Sequence, residues 1–217
     1  MTDLNRRDAL RVLGVAPLAG MLDWSAPGVA RASRMIDRLN ETAETSSYAP
    51  KFFNAHEWKT VRTLADIIIP KDEHSGSATD AKAPEFMDFM LAEKDTSENS
   101  KVQMRGGLAW LDTEMRLRFG SDFLSSTDSQ RRQVLDDIAF GKKAKPELRR
   151  GAAFFDRFRA SVASAFYSSA MGWQDLRYIG NVFNPGWNGC PPEATRKLGV
   201  SYEEFDASLE KSRKGNR

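Results

Sequence analysis

Few side chains along this chain are spaced so that they could do chemistry on one another. The two histidines, His56 and His74, are 18 residues apart, whereas zinc ligands usually come in pairs a few residues apart. Asp72, Glu73 and His74 run together and have two readings, a loose cation site or an ordinary solvated loop. Asp136 and Asp137 read as a solvated helix face. Dinucleotide binding has no Gly-x-Gly-x-x-Gly behind a strand, and no Gly-x-Ser-x-Gly elbow presents a nucleophile. The residues therefore assign no catalytic, cofactor-binding or metal-binding group. A single cysteine, Cys190, rules out a disulfide within the chain and a cysteine-rich metal site.

What the chain does concentrate is aromatic surface. Nine of its 22 aromatic residues stand between 154 and 187. Phe155, Phe158, Val162 and Phe166 share one helical face and read as core; Phe154 projects off that face. From Gly172 to Pro192, glycine, proline and asparagine punctuate large rings, the composition of an ordered loop built of turns. Loops of this kind carry binding surfaces, and tryptophan and tyrosine bring contact area at low entropic cost. Phe154, Trp173, Tyr178, Phe183 and Trp187 are therefore the candidate partner interface. A structural lid over the core is the other reading.

Helices must position these residues. Asn54 and Glu57 form a capping-box pair that opens a helix to about Ile68, with Trp58, Val61, Leu64, Ala65 and Ile68 on one stripe. Pro70 ends it, because the residue before a proline leaves the helical region. Residues 71–83 form a polar loop. Pro84 suits a first helical position and starts a short helix carrying Phe86, Phe89 and Met90. A third helix is expected from Glu98 to Phe119, weakened locally by Gly106 and Gly107. Thr127 with Gln130 caps the next, which carries Val134, Leu135 and Ile138. Pro146 opens a long helix through Phe166, and Ser201 with Glu204 caps a last one to about Lys211. No strand-like alternation of useful length and no internal repeat is present. The expected fold class is all-α: a compact multi-helix domain over 51–217 with an ordered aromatic, Gly/Pro-rich C-terminal loop region.

Composition narrows the partners. The 217 residues carry 32 basic and 30 acidic side chains, a net charge of +2, too balanced for a surface that tracks phosphates, so nucleic acid is excluded as a partner. Mean hydropathy is negative, and no apolar run reaches the length of a membrane-spanning helix. At the N-terminus, Arg6 and Arg7 precede a modest apolar stretch, Val12 to Leu22. Those residues, at about 1.5 Å each, fall short of a ~30 Å hydrocarbon core and fit a signal-peptide h-region. Ala30 and Ala32 supply a small-x-small cleavage pattern, which sets a signal at 1–32. Residues 33–50 are polar and read as a flexible N-terminal arm.

The segment resembles a twin-arginine (Tat) signal, Ser/Thr-Arg-Arg-x-Phe-Leu-Lys. Arg6, Arg7 and Leu10 match, while Asn5, Ala9 and Arg11 replace the hydroxyl residue, the phenylalanine and the lysine. An ordinary Sec signal and an amphipathic N-terminal helix are the alternatives. The resemblance implies export of a cargo already folded in the cytoplasm.

Two further blocks resemble the gluconate 2-dehydrogenase subunit 3 family, the small (gamma) subunits of membrane-associated flavoprotein dehydrogenases. The first is Phe53, Glu57-Trp58, Val61, Leu64-Ala65-Asp66 and Ile68-Ile69-Pro70, followed by Ala83-Pro84-Glu85-Phe86-Met87-Asp88. The second is Phe154-Phe155, Phe158-Arg159, Tyr167-Ser168-Ser169, Leu176-Arg177-Tyr178-Ile179-Gly180-Asn181 and Gly186-Trp187 with Gly189-Cys190. Arg177 departs from the pattern, since members often carry glycine before the tyrosine. The resemblance implies a non-catalytic subunit in a three-part periplasmic complex held peripherally at the inner membrane. Its direct partner would be an FAD-dependent GMC-type dehydrogenase acting on a sugar, sugar acid or polyol. A multi-haem cytochrome c subunit would accept the electrons, and the Tat translocase would export the assembled pair. FAD and haem c would belong to those partners and not to this chain. In that oxidising compartment Cys190 has two readings of equal weight, an intersubunit disulfide to the catalytic subunit or a free buried thiol.

Two other functions compete. One is a free-standing periplasmic helical carbohydrate-binding protein that stacks a sugar on its aromatic loop. The other is an enzyme in its own right, against which the lack of paired catalytic groups weighs most.

Overall fold

Asn54 caps its helix as its spacing with Glu57 requires. Its side-chain oxygen accepts the backbone N–H groups of His56 and Glu57, and the Glu57 carboxylate accepts the N–H of Asn54 at 2.9 Å. The reciprocal pair satisfies donors that the first turn would otherwise leave orphaned. The same device recurs at Thr127 and Gln130. The computed structural model describes residues 24–41, 48–178, 189–203 and 205–207. These fall into two units, one ending at Tyr178 and one beginning at Ile179.

All regular structure among the described residues is helical, the expected class. In the first unit the elements are α1 (Ala26–Glu41), α2 (Ala55–Ile68), α3 (Ala83–Ala92), α4 (Glu98–Phe119), α5 (Asp128–Ile138), a 3-10 turn (Pro146–Leu148), α6 (Arg149–Tyr167) and α7 (Ala170–Asp175). The second contains α8 (Pro192–Leu198). Pro146 thus opens a tight 3-10 turn, and the long helix begins after it. Two short helices, α7 and α8, occupy the ends of the stretch expected as loop. Tyr202, Glu203 and residues 205–207 are helical, whereas Glu204 and the tail toward Lys211 lie outside the described residues. No helix of the described residues is long and apolar enough to cross a membrane.

The core is organised by α6, which packs against α2, α3, α4, α5, α7 and the 3-10 turn. It is accordingly buried on more than one side: Gly151, Ala152, Phe154, Phe155, Phe158, Val162, Ala165 and Phe166 are all shielded from water. A helix apolar most of the way round is one surrounded by others. Leu64 from α2, Phe86, Met87 and Met90 from α3, and Leu111 and Met115 from α4 complete the centre.

Helix α1 corrects one expectation. Residues 33–50 read as a loose arm, yet 33–41 continue a helix that packs against α3. Val29, Ala32, Met35, Ile36 and Leu39 form its inward stripe, with Ala32 and Ile36 in the core. Trp24 packs tilted against Phe86 with ring centroids 5.6 Å apart, and Arg31 pairs with Glu93. The stripe straddles residue 32, so dividing the chain there splits its helical period. Tyr48, also assigned to the arm, is anchored by a 2.8 Å hydrogen bond to Asp88; residues 42–47 lie outside the described residues.

Candidate functional site

The acidic residues of the first sequence block build architecture. Asp88 has no exposed surface. Its carboxylate accepts the Tyr48 hydroxyl at 2.8 Å and the backbone N–H groups of Lys51, Phe52 and Phe53 at 2.8, 2.9 and 3.1 Å. One side chain of α3 therefore folds the turn that leads into α2. Burial, and then the neighbouring Asp88 carboxylate, pushes the Tyr48 phenol above the ordinary tyrosine range. Asp66, near the end of α2, accepts both the N–H and the hydroxyl of Thr79, at 2.9 and 2.8 Å. Glu85 is 3% exposed. One of its oxygens takes Arg62 at 2.9 Å, and the other has no hydrogen-bond partner. Burial raises its pKa against the opposing pull of Arg62.

The histidines have local roles. His56 Nε2 lies 2.6 Å from Asp112 Oδ2, while Asp112 Oδ1 accepts the Phe123 N–H at 3.0 Å. That bridge ties the start of α2 to α4 and to the turn after it. His74 and Glu73 form an exposed pair at 3.2 Å, and Asp72 accepts the N–H groups of His74 and Ser75 in a tight turn. Among the described residues no three His, Cys, Asp or Glu side chains gather closely enough to hold a metal ion. Asp137 pairs with Arg118 at 2.6 Å.

The aromatic candidates separate. Trp173 and Tyr178 are 51% and 58% exposed and meet edge-on with centroids 5.9 Å apart. Their geometry comes from the end of α7, where Tyr178 N–H reaches Trp173 C=O at 2.9 Å and Arg177 N–H reaches Gln174 C=O at 3.0 Å. This is the Schellman pattern, which needs a left-handed residue at the penultimate position. Arg177 supplies it with φ +52°. The preference of the resembled family for glycine here has its physical reason in that angle.

Phe154 sits elsewhere, in the seam between α4 and α6. Its ring lies against Gly107, where a Cβ would come within 1.8 Å of it. Trp110 of α4 lies on Gly151 of α6 in the same way, at 2.0 Å. Beside these rings opens a groove of about 460 Å³. The residue spacing signalled this feature only weakly, as a mid-helix glycine pair with no stated partner.

Cys190 is exposed, in the second unit, and its N–H donates to the Tyr202 hydroxyl at 2.7 Å. A free buried thiol is therefore not what this structure contains. Ala30 is exposed and Ala32 buried, both within α1. Arg6, Arg7, Leu10, Phe183 and Trp187 lie outside the described residues.

Among the described residues the chain is all-helical, the family-block carboxylates Asp66, Glu85 and Asp88 are bonded to other parts of the fold, and Trp173 and Tyr178 stand on the surface. The chain belongs to the gluconate 2-dehydrogenase subunit 3 family, whose model matches residues 55–186. It is thereby a subunit of a dehydrogenase complex with a dehydrogenase partner. No curated protein and no solved structure gives a significant match.

Proposed function

We propose that this chain is the auxiliary small subunit of a periplasmic FAD-dependent dehydrogenase acting on a sugar, sugar acid or polyol. It folds in the cytoplasm with the flavin-loaded catalytic subunit, stabilises it, and carries it through the Tat translocase. Electrons then pass from the flavoprotein to a multi-haem cytochrome c, and the complex stays peripheral to the inner membrane. The family match over 55–186 carries the reading. The exposed Trp173 and Tyr178 supply contact area of the type that anchors protein interfaces, and Cys190 is accessible for a disulfide to the partner.

The test replaces Arg6 and Arg7 together by lysine in the native host and fractionates the cells. Dehydrogenase activity should move from periplasm to cytoplasm along with the flavoprotein. Unchanged periplasmic activity would overturn the export role. Purification of the chain as a lone monomer that binds a saccharide would replace this reading with the carbohydrate-binding one.

A further inference from the structure

Helix α4 has apolar residues on two faces. Met104, Leu108, Leu111 and Met115 point into the core. On the opposite, mixed side Val102, Gly106, Ala109, Thr113 and Leu117 fall at helical spacing beside the exposed Arg105 and Arg116, with Val102 66% and Leu117 77% exposed.

Its two adjacent glycines differ in kind. Each costs roughly 1 kcal/mol of helix propensity against alanine. Gly107 has an internal reason, because the Phe154 ring occupies the space of its missing Cβ. Gly106 has none: a Cβ there would meet nothing within 4 Å. The open space is the floor of the α4–α6 groove, walled by the Trp110 and Phe154 rings and bordered by Arg150, Arg157 and Gln103. None of the residues lining it is acidic.

We propose that this groove is a docking site for the catalytic subunit of the dehydrogenase, receiving an aromatic or large aliphatic side chain flanked by carboxylates. The proposal rests on the subunit reading for the identity of the partner. Apolar walls with a glycine floor fit an anchor side chain of the kind that dominates interface energetics. The guanidinium border selects carboxylates beside that anchor. A second copy of this chain docked with its two-fold axis through the groove fits poorly, since it would bring Arg150 and Arg157 toward the same arginines. The site is distinct in place from the Trp173–Tyr178 pair, so the partner would be gripped at more than one point.

Gly106 makes the test clean, because a Cβ can be added there without a clash and with a gain in helix propensity. The full chain, tagged, is expressed with its dehydrogenase in the native host as wild type, Gly106→Gln and Arg150→Glu, and the flavoprotein recovered per chain is measured by flavin absorbance. Each variant should recover at least tenfold less flavoprotein, while the melting temperature of Gly106→Gln stays level or rises. Recovery equal to wild type in both variants overturns the groove and leaves the subunit reading standing. A wild-type chain that recovers no flavoprotein sinks the subunit reading itself, and the groove proposal with it. Sizing supplies the remaining arm: a homodimer that Gly106→Gln splits would show self-association and overturn the proposed occupant.

Discussion

Glu85 owes its protonation behaviour to its surroundings. Burial holds its folded-state pKa above that of a free glutamate, near 4.3. The folded chain then keeps a proton that the unfolded chain releases. This stabilisation is fully present below the free value and is lost as pH rises through the folded value. Urea denaturation across that window should show stability falling with pH, and Glu85→Gln should flatten the slope. A second residue-scale prediction concerns Arg177. A non-glycine side chain at φ +52° carries a cost of roughly 1–2 kcal/mol, partly offset by the freedom glycine gains when unfolded. Arg177→Gly should therefore raise stability by about 0.5–1 kcal/mol, read from the urea midpoint, and no gain would remove the strain argument.

At the scale of elements, the seam between α4 and α6 makes opposite demands on neighbouring residues. Gly107→Ala drives a methyl into the Phe154 ring and should destabilise by about 1–3 kcal/mol, the usual range for overpacking. Gly106→Ala, with open space around it, should stabilise by about 1 kcal/mol. Paired thermal melts of the two variants give the comparison directly. Helix α1 yields another. Cleavage after Ala32 would remove Trp24, Val29, Arg31 and Ala32, and with them the packing on Phe86 and the link to Glu93. A chain beginning at Ser33 should be less stable than one beginning at Asp23 by on the order of 3 kcal/mol, the cost typical of losing a buried aromatic anchor. Equal melting temperatures would mean that the part of α1 before Ser33 contributes nothing to the domain. The mass of the exported protein would show which of these two chains the cell makes.

For the whole molecule, the proposed complex can be tested through a disulfide from Cys190 to the catalytic subunit. Cys190 is exposed, its backbone N–H donates to the Tyr202 hydroxyl, and its side chain beside that hydroxyl raises the tyrosine pKa. The native complex should migrate as a larger species on non-reducing gels and separate on reduction, a difference that Cys190→Ser abolishes. The capping boxes at Asn54 and Thr127, the helix start at Pro84 and the span Glu98–Phe119 were legible from spacing alone. Each is settled by groups within about four residues of one another, where chain entropy leaves little choice. The family blocks were legible too, but not what their carboxylates do. Asp88 meets donors 35 to 40 residues away, and Glu85 meets Arg62 from another helix. The difference between Gly106 and Gly107 is likewise invisible in a pair of identical letters, because it depends on where the ring of Phe154, on a different helix, comes to rest. Local hydrogen bonding and periodicity determined the helices and their limits. Packing between distant segments alone decided which carboxylates are buried, that α1 belongs to the core, and which apolar surface remains uncovered.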